Sequence, residues 1–319
     1  MNSRTGANPV DAVVIGRNVG KRLIACLASL DGQVGRIIYV DSGSTDASVE
    51  AARDADAEVV QLDMTQPFTA ARARNAGLAL ARAEYVQFVD GDCTVQPGWV
   101  AAGLGHLGAH PNHAVVCGRR REVAPEASVY NRLCDIEWDS AIGAARACGG
   151  DALMRRAVVA GADGFDADLI AGEEPDLCLR LRAAGWGIWR LDAEMTLHDA
   201  AILRFGQWWR RTRRAGYAYA EGSMRHNASP ERHWAAETRR ALIWGAGLPA
   251  IIALAAVIWW PAILLVAVYP AQVIRLAQRG GDWGWAAFSV LGKFAEAGGA
   301  LRHYIRRARR GRANLIEYK

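Results

Sequence analysis

Short apolar runs alternate with amphipathic stretches along the chain from Asp11 to about Leu203. Apolar runs of strand length occupy 12–16, 36–44, 57–63 and 84–92, and segments with helical spacing occupy 22–30, 46–55 and 70–83. Alternation of strands and helices with these lengths predicts an α/β domain with a doubly wound, mainly parallel sheet. In such sheets ligands bind beyond the carboxyl ends of the strands, so residues that follow the predicted strands are the first candidates for a functional site.

Polar side chains follow three of the four predicted strands. Asn18 comes after the first strand, Asp41 ends the second, and Asp90 and Asp92 end the fourth. Two carboxylates separated by one glycine at a strand end can bind Mg²⁺ or Mn²⁺ and leave open positions for the oxygens of a diphosphate. Asp-Gly-Asp is also common in turns, so the triplet by itself leaves a purely structural role equally open.

The phosphate-binding loops of two large enzyme classes are absent from the sequence. No GxGxxG follows the first predicted strand, and no GxxxxGK[ST] occurs anywhere in the chain. Dinucleotide-dependent redox chemistry and P-loop ATP hydrolysis therefore lack the glycine-rich loops that they use to hold phosphates.

A long uncharged segment lies between Arg240 and Arg275, with no Lys, Arg, Asp or Glu in it. It is too long for one membrane-spanning helix of about 20 residues and short for two. Trp259, Trp260 and Pro261 interrupt its middle, which predicts a tight hairpin of two helices, roughly 243–258 and 261–276. A buried hydrophobic hairpin in a soluble protein is the alternative, but it would need a large apolar partner that the rest of the chain hardly provides.

The net charge of +5 hides an asymmetry between the two parts of the chain, because residues 1–202 are acidic and residues 203–319 are strongly basic. Arginines flank both ends of the predicted hairpin, which places both ends on the cytoplasmic side of a membrane. The segment after the hairpin is too polar to span and predicts an interfacial helix with a basic tail, or else a solvated run of charge. Because the basic residues adjoin the hairpin, no nucleic-acid partner is expected.

Six cysteines are scattered singly through the chain, without a CxxC pair. Dispersed cysteines are typical of reduced, buried thiols, and the first 16 residues contain no apolar core of signal-peptide length. Both features predict that the N-terminal domain lies in the cytoplasm.

Seven blocks of the sequence occur in a specific order and spacing: VVIGRN, VDSGSTD, ARARNAG, VQFVDGDC, RACGGDALMRR, GFDADLIAGEEPDLCLRLRAAGW and QWWRR. Over roughly residues 10–215 they resemble the family 2 glycosyltransferases, whose fold is called GT-A. The resemblance implies a GT-A-like sheet and the transfer of a sugar from a nucleotide-diphosphate sugar, with inversion and with Mg²⁺ or Mn²⁺ as cofactor. The hairpin and tail are similar to those of relatives that build bacterial envelope glycans or glycolipids. This implies a lipid-linked or glycan acceptor at the cytoplasmic face of the inner membrane.

The predicted chain has four parts. Residues 1–215 form the GT-A-like catalytic domain and residues 216–240 a basic connecting segment. Residues 241–276 form the two-helix membrane hairpin, and residues 277–319 the interfacial helix with the basic tail.

The resemblance also assigns roles to individual residues. Asp41 matches the aspartate that hydrogen-bonds the nucleobase or ribose, and Arg74 with Asn75 matches a pair on the nucleotide side. Asp90 matches a residue near the ribose, and Asp92 matches the principal metal ligand.

Four further residues complete the expected donor and metal site. Gly149 and Gly150 match a turn of small residues that lets the donor sugar or the acceptor approach the backbone. His198 lies where some GT-A enzymes have a histidine that joins the metal ligands, and a structural histidine is the alternative. Asn18 is grouped with the donor-binding residues because it follows a predicted strand.

The catalytic base is expected at the start of a helix. The family usually has Glu-Asp followed shortly by Asp-Leu, and the second acid removes the proton of the acceptor hydroxyl. This chain reads Glu173-Glu174-Pro175-Asp176, so Glu174 matches the base and Asp176 is the second candidate. Three clustered carboxylates should raise the pKa of at least one of them. An ordinary helix start with an Asp176–Arg180 pair is the alternative.

The QWWRR block leaves two interpretations open. Trp208 or Trp209 could stack on a sugar while neighbouring arginines bind diphosphate, or the block is a basic amphipathic helix at a membrane surface. Two other functions compete with sugar transfer: a nucleotidyltransferase, which also uses strand-end carboxylates and Mg²⁺, and a catalytically silent membrane scaffold with the same fold.

Overall fold

The computed structural model describes residues 8–280 and 282–309, and the chain forms two compact units. The first unit contains the residues up to Glu126 together with Cys134–Leu169 and Glu173–Ala201. The second contains Ala127–Leu133, Ile170–Gly172 and the residues from Ile202 onward.

A nine-stranded sheet forms the centre of the first unit. Its strands are β1 (Val10–Gly16), β2 (Arg36–Asp41), β3 (Glu58–Gln61), β4 (Tyr85–Asp90), β5 (Cys93–Val95), β6 (His113–Glu122), β7 (Gly143–Ala144), β8 (Ala152–Arg155) and β9 (Gly187–His198). Their order is β3-β2-β1-β4-β8-β6-β9-β5, and β7 pairs with β9. The N-terminal half, β3-β2-β1-β4, is parallel throughout, whereas β8 pairs antiparallel with both of its neighbours.

Seven α-helices connect the strands of this sheet or follow them: α1 (Lys21–Leu30), α2 (Ser48–Asp54), α3 (Ala70–Leu80), α4 (Trp99–Ala109), α5 (Val129–Trp138), α6 (Arg156–Gly161) and α7 (Glu173–Ala183). A short 3-10 helix, Pro125–Ala127, precedes α5. Strands β1, β2 and β4 are buried along most of their length, as expected for strands covered on both faces. The predicted α/β class and mainly parallel sheet are confirmed, with boundaries that differ from the prediction by a few residues.

The second unit is built mainly of helices. They are α8 (Phe205–Arg225), α9 (Ala235–Leu242), α10 (Leu248–Ile258), α11 (Val268–Gly280) and α12 (Trp283–Ala308), with a π-helical turn at Ile243–Gly247 and a 3-10 helix at Trp260–Ala267. Two continuous helical stretches, Ala235–Ile258 and Trp260–Gly280, are long and apolar enough to cross a membrane by length and composition.

The chain reverses direction between these two stretches. Trp259 is extended, so the helix stops there, and Pro261 lies in the first turn of the next segment. The Tyr269 hydroxyl donates a hydrogen bond to the Trp244 carbonyl oxygen at 2.8 Å, which joins the two arms. The break that the Trp-Trp-Pro sequence predicted is therefore present.

Glycines let α12 approach its neighbouring helices closely. A Cβ atom at Gly299 would overlap the carbonyl oxygen of Arg213 in α8, and one at Gly216 would overlap the backbone of Glu296 in α12. The segment expected to form an interfacial helix thus packs a small-residue face within the second unit. Residues 310–319, the end of the predicted basic tail, lie outside the described residues.

The aromatic residues of the QWWRR block lie at the start of α8. Trp208 is buried, with its ring centroid 4.9 Å from that of Phe288 and 6.2 Å from that of Tyr130. Trp208 therefore packs against aromatic side chains of other helices, a role that neither interpretation of the block had given it.

Candidate active site

The carboxyl ends of β1, β2 and β4 lie side by side at one edge of the sheet. Gly16 of β1 pairs with Asp41 of β2, and Ile15 of β1 pairs with Asp90 of β4. Because these strands are parallel, the polar side chains that follow them share one edge, as the alternating pattern of the sequence predicted.

Asp41 is buried and holds the turn that follows β2. Its Oδ2 accepts hydrogen bonds from the backbone N–H groups of Gly43 at 3.0 Å and Ser44 at 2.9 Å. Asn18, in the loop after β1, accepts a hydrogen bond through Oδ1 from the Thr45 N–H at 2.7 Å. The two loops are therefore joined at the sheet edge by polar side chains from both.

Arg74 is the centre of a buried cluster of ion pairs. Its Nη1 donates to Glu173 Oε1 at 2.8 Å, and its Nη2 donates to Asp90 Oδ1 at 2.8 Å and lies 3.0 Å from Glu174 Oε1. One guanidinium from α3 thus joins carboxylates from the end of β4 and the start of α7. Burial lowers the pKa of Arg74, but the three carboxylates raise it by more, so the side chain stays cationic.

Gly150 leaves room for this ion-pair cluster. A Cβ atom at Gly150 would lie 2.5 Å from Asp90 Oδ2 and 2.6 Å from Arg74 Nη2, closer than real contacts allow. Its neighbour Gly149 is exposed, and a Cβ there would meet the Arg120 guanidinium at an ordinary 3.8 Å. The two glycines that the sequence grouped together therefore lie in different surroundings.

Arg120 of β6 and Asp151 extend the cluster, and the sequence analysis singled out neither of them. Arg120 Nη2 lies 2.7 Å from Asp151 Oδ2 and 3.5 Å from Asp90 Oδ2. Asp151 Oδ1 also accepts a hydrogen bond from the Asp90 N–H at 2.9 Å. The aspartate directly after the glycine pair was a signal in the sequence. Arg120 carried none, because an arginine run on a strand is typical of a solvated face.

Asp92 and His198 come together because β5 pairs antiparallel with β9, with Cys93 opposite His198. The distance from His198 Nε2 to Asp92 Oδ1 is 3.4 Å. Ligand atoms of Asp92, Cys93 and His198 all lie within 4.8 Å of one another. Burial raises the pKa of the Cys93 thiol well above its ordinary value, and Mg²⁺ and Mn²⁺ prefer oxygen ligands to thiols. A carboxylate oxygen and an imidazole nitrogen remain as a fitting pair of ligands for a divalent cation.

Glu174 is the second residue of α7, and its carboxylate faces Arg74. Burial raises the pKa of Glu174 to about 7, and the negative charge of Glu173 also raises it, whereas Arg74 lowers it. The expectation that the acidic cluster contains a raised pKa is confirmed. The largest cause is burial rather than repulsion between neighbouring carboxylates.

Asp176 and Asn75 both fasten the turn at residues 162–165. Asp176 Oδ2 accepts a hydrogen bond from Arg180 Nε at 2.9 Å, and Arg180 Nη2 donates to the Gly164 carbonyl oxygen at 2.7 Å. The Asn75 amide donates to the Phe165 carbonyl at 2.7 Å and accepts from its N–H at 2.9 Å. The Asp176–Arg180 pair that the sequence left open is therefore present, and the Asn75 side chain is engaged with backbone.

Comparison with known sequences identifies the N-terminal region. Residues 11–156 match the family model described as glycosyl transferase family 2. The pre-mycofactocin glycosyltransferase of Mycobacterium tuberculosis is 29% identical over 209 residues, which are 60% of this chain and 42% of the relative. The chain thus spans about two fifths of the length of that curated relative.

Comparison with solved structures covers nearly the whole chain. A mannosyltransferase from Pyrobaculum calidifontis, in complex with GDP-Man and Mn²⁺, is similar over 93% of this chain and 88% of that chain, with 21% identity and a TM-score of 0.66. Residues 1–349 of S. aureus TarS are similar over 94% of this chain and 91% of that chain, with 16% identity and a TM-score of 0.51. At these identities the likeness establishes the fold, which is GT-A.

Proposed function

Residues 11–156 belong to glycosyl transferase family 2, and from this premise we propose that the chain transfers a sugar from a nucleotide-diphosphate sugar to a hydroxyl group of an acceptor. The observation that carries the proposal is the carboxylate cluster at the strand ends, where Asp92 lies beside His198 and Glu174 has a pKa of about 7. A metal ligand set and a proton acceptor are the two groups that such a transfer needs.

The proposed metal ligands are Asp92 and His198, and the ion is Mg²⁺ or Mn²⁺. Arg74 and Arg120 contact four carboxylates, those of Asp90, Glu173, Glu174 and Asp151, so acids outnumber arginines in this cluster. A bound divalent cation would offset this excess of negative charge and would neutralise the departing diphosphate.

The proposed donor site is the edge formed by the loops after β1 and β2. We assign to Asp41 the role of accepting hydrogen bonds from the nucleobase or ribose, and Asn18 shapes the adjoining loop. Arg74 and Asp90 form the buried floor on the nucleotide side, where Asn75 holds the neighbouring turn. Exposed backbone at Gly149 leaves space for the sugar.

Glu174 is the proposed catalytic base. A carboxylate with a pKa near 7 is deprotonated in about half of the molecules at pH 7 and can accept the proton of the acceptor hydroxyl. The hydroxyl oxygen then forms a bond to the anomeric carbon while the bond from that carbon to the diphosphate oxygen breaks. Attack opposite the leaving group inverts the anomeric centre, the proton rests on Glu174, and nucleoside diphosphate leaves. Asp176, whose carboxylate pairs with Arg180, is the second candidate.

We further propose that the stretches Ala235–Ile258 and Trp260–Gly280 lie in the cytoplasmic membrane. Only 11% of the apolar window in either stretch is buried, whereas the core helix of a soluble protein would be mostly buried. Val257, Trp260 and Leu264 are 72–83% exposed, and such a surface needs an apolar environment. Arginines at both ends favour the cytoplasmic side for the catalytic unit. A lipid-linked or envelope-glycan acceptor follows from this location.

The activity is tested by incubating the detergent-solubilised full chain with nucleotide sugars, Mn²⁺ and a membrane lipid extract. The screen includes GDP-Man and UDP-GlcNAc, because relatives of the same fold were solved with these donors. Sugar transfer predicts release of nucleoside diphosphate. Release of pyrophosphate would instead indicate a nucleotidyltransferase. No reaction with any donor, with or without Mn²⁺, would favour a silent scaffold.

The membrane proposal has a separate test. A chain truncated before Ala241 should leave membranes in high salt, because only the basic tract before it would remain and its attraction is screened beyond about 8 Å at physiological ionic strength. The full chain should require detergent. If the truncated chain also requires detergent, the hairpin is not the anchor.

A further inference from the structure

Three histidines form a cluster that takes no part in the proposed sugar transfer. His106 lies in the last turn of α4, His110 directly follows that helix, and His113 begins β6. Ring nitrogens of all three lie within 4.8 Å of one another. The i,i+4 spacing places His106 and His110 on one side of the helix end, and the short turn returns His113 to the same place.

Two hydrogen bonds orient the imidazole rings. His106 Nε2 lies 2.8 Å from His113 Nδ1, so one of these nitrogens carries a proton and donates a hydrogen bond to the other. His110 Nδ1 lies 2.9 Å from the His106 carbonyl oxygen, to which it donates. A histidine whose Nδ1–H is held by a backbone carbonyl presents Nε2 as a lone-pair donor, and this is the usual orientation of metal-binding histidines.

The surroundings of the cluster make room for the rings and hold them in place. Gly187 of β9 pairs with His113, and a Cβ atom at that position would overlap the His113 ring. The indole of Trp189 stacks on His106 and His113, with centroid distances of 5.6 and 5.2 Å. Two strands and a helix end therefore position the cluster.

Arg155 and Glu84 are charged side chains close to the cluster. Arg155 brings one positive charge close, since its Nε donates to the His113 carbonyl oxygen at 2.9 Å. Glu84, 3.8 Å from Arg155, offsets part of that charge.

We propose that His106, His110 and His113 bind a transition-metal ion of the Zn²⁺ type at a second site, distinct in its ligands from the Mg²⁺ or Mn²⁺ site at Asp92. Imidazole nitrogens are the preferred donors of Zn²⁺, Ni²⁺ and Cu²⁺, whereas Mg²⁺ and Mn²⁺ prefer oxygen. Tetrahedral Zn²⁺ with bonds of about 2.0–2.1 Å separates its nitrogens by about 3.3 Å, so the His106–His113 pair must open by roughly half an ångström. The ion would tie the end of α4 to β6.

The test uses the full chain purified without a histidine tag, because a tag would bind the same ions. Zn²⁺ is titrated calorimetrically in the presence of excess Mg²⁺, in the wild type and in an Asp92→Asn background. The proposal predicts one Zn²⁺ per chain in both, with a rise in melting temperature. His110→Ala should weaken Zn²⁺ binding at least about tenfold, and because His110 is exposed the variant should fold.

His226→Ala, a histidine of the second unit, is the matched control and should bind Zn²⁺ as the wild type does. Co²⁺ provides an independent measurement, since coordination by three imidazoles gives a visible absorption band that His106→Gln should remove. Equal Zn²⁺ affinity in the wild type and in the His110 and His106 variants would overturn the proposal. Loss of the Zn²⁺ signal in the Asp92→Asn background would also overturn it, because the ion would then occupy the Asp92 site.

Discussion

The two units of the molecule depart from the usual distribution of polar and apolar residues in opposite ways. In the first unit charge is buried: the Arg74 side chain is 3% exposed and Asp151 is fully buried. In the second unit apolar surface is exposed, with Val257 at 83% and Trp260 at 76%. Each arrangement has a free-energy cost in water unless a partner compensates for it.

The compensation differs between the units, and the difference indicates which kind of partner suits each unit. Arg74 and Arg120 of the first unit have carboxylate partners at 2.7–3.0 Å, and the carboxylates that they contact outnumber them, which suits a cationic ligand. The exposed apolar side chains around the hairpin turn lie on helices whose apolar windows are little buried among the described residues. The membrane location proposed above would supply their partner, because a bilayer has the matching chemistry.

The largest expected effect concerns the proposed metal site of the first unit. Asp92→Ala should abolish Mn²⁺-dependent binding of nucleoside diphosphate and lower sugar transfer by about 10³-fold or more, because the variant loses an anionic metal ligand. Calorimetric titration of nucleoside diphosphate with and without Mn²⁺ measures this. Asp199→Ala is the matched control, since Asp199 contacts the same Arg22. Unchanged metal-dependent affinity in Asp92→Ala would contradict the assignment.

The second prediction separates donor binding from proton transfer in the first unit. Glu174→Gln should leave donor affinity nearly unchanged and lower transfer by about 10²–10⁴-fold, because Gln keeps the size of Glu but not its basicity. Steady-state kinetics and donor titration measure the two quantities. Asp176→Asn is the control. If it loses turnover while Glu174→Gln stays active, the base is Asp176 and the alignment of this segment is wrong by two residues.

The pH dependence of sugar transfer tests the same role of Glu174. Below its pKa of about 7, Glu174 is protonated and cannot accept a proton, so transfer should fall about tenfold for each pH unit below 7 and level off above it. Rates at saturating donor and acceptor between pH 5 and 9 measure this limb. Glu174→Gln is the control, and its profile should lose this limb if Glu174 causes it.

A third kind of variant leaves the charged residues unchanged and tests the space around the Asp90–Arg74 ion pair. Gly150→Ala places a Cβ against Asp90 and Arg74 and should lower kcat/KM for the donor about tenfold, because the ion pair must shift. Gly161→Ala in α6 adds the same methyl group where no atom lies within 4 Å, and its kinetics should stay within about twofold of the wild type. Equal effects of both variants would mean that the Asp90–Arg74 pair is not the reason for Gly150.

The smallest expected effect lies in the second unit. Gly299→Ala in α12 should lower the free energy of unfolding by about 1–3 kcal/mol, because the methyl group meets the Arg213 carbonyl of α8. Gly298→Ala has open space and should be neutral or stabilising by up to about 1 kcal/mol through helix propensity. Thermal unfolding in detergent measures both. A destabilised Gly298→Ala with an unaffected Gly299→Ala would reverse the assignment of the packed face.

Much of the fold was readable from local patterns. The strand and helix alternation, the residues at three strand ends and the break at Trp259–Pro261 all depend on a few neighbouring residues, and the structure places them where the sequence predicted. The raised pKa in the α7 acid cluster was also expected, although its main cause, burial, is a property of the folded chain. Roles assigned to Asp41, Asp92 and Glu174 remain predictions that the variants above test.

Sequence by itself determined the α/β class, the candidate acids and the uncharged hairpin, because hydrophobic periodicity, turn residues and charge are local properties. Only the tertiary structure decided which acids meet which bases. Arg74 joins β4 to α7, and Arg120 meets Asp151 across the sheet, through contacts between positions far apart in the chain. His198 reaches Asp92 because the β5–β9 register places Cys93 opposite it. Strand register and helix placement arise from packing the whole core, so no short segment encodes them.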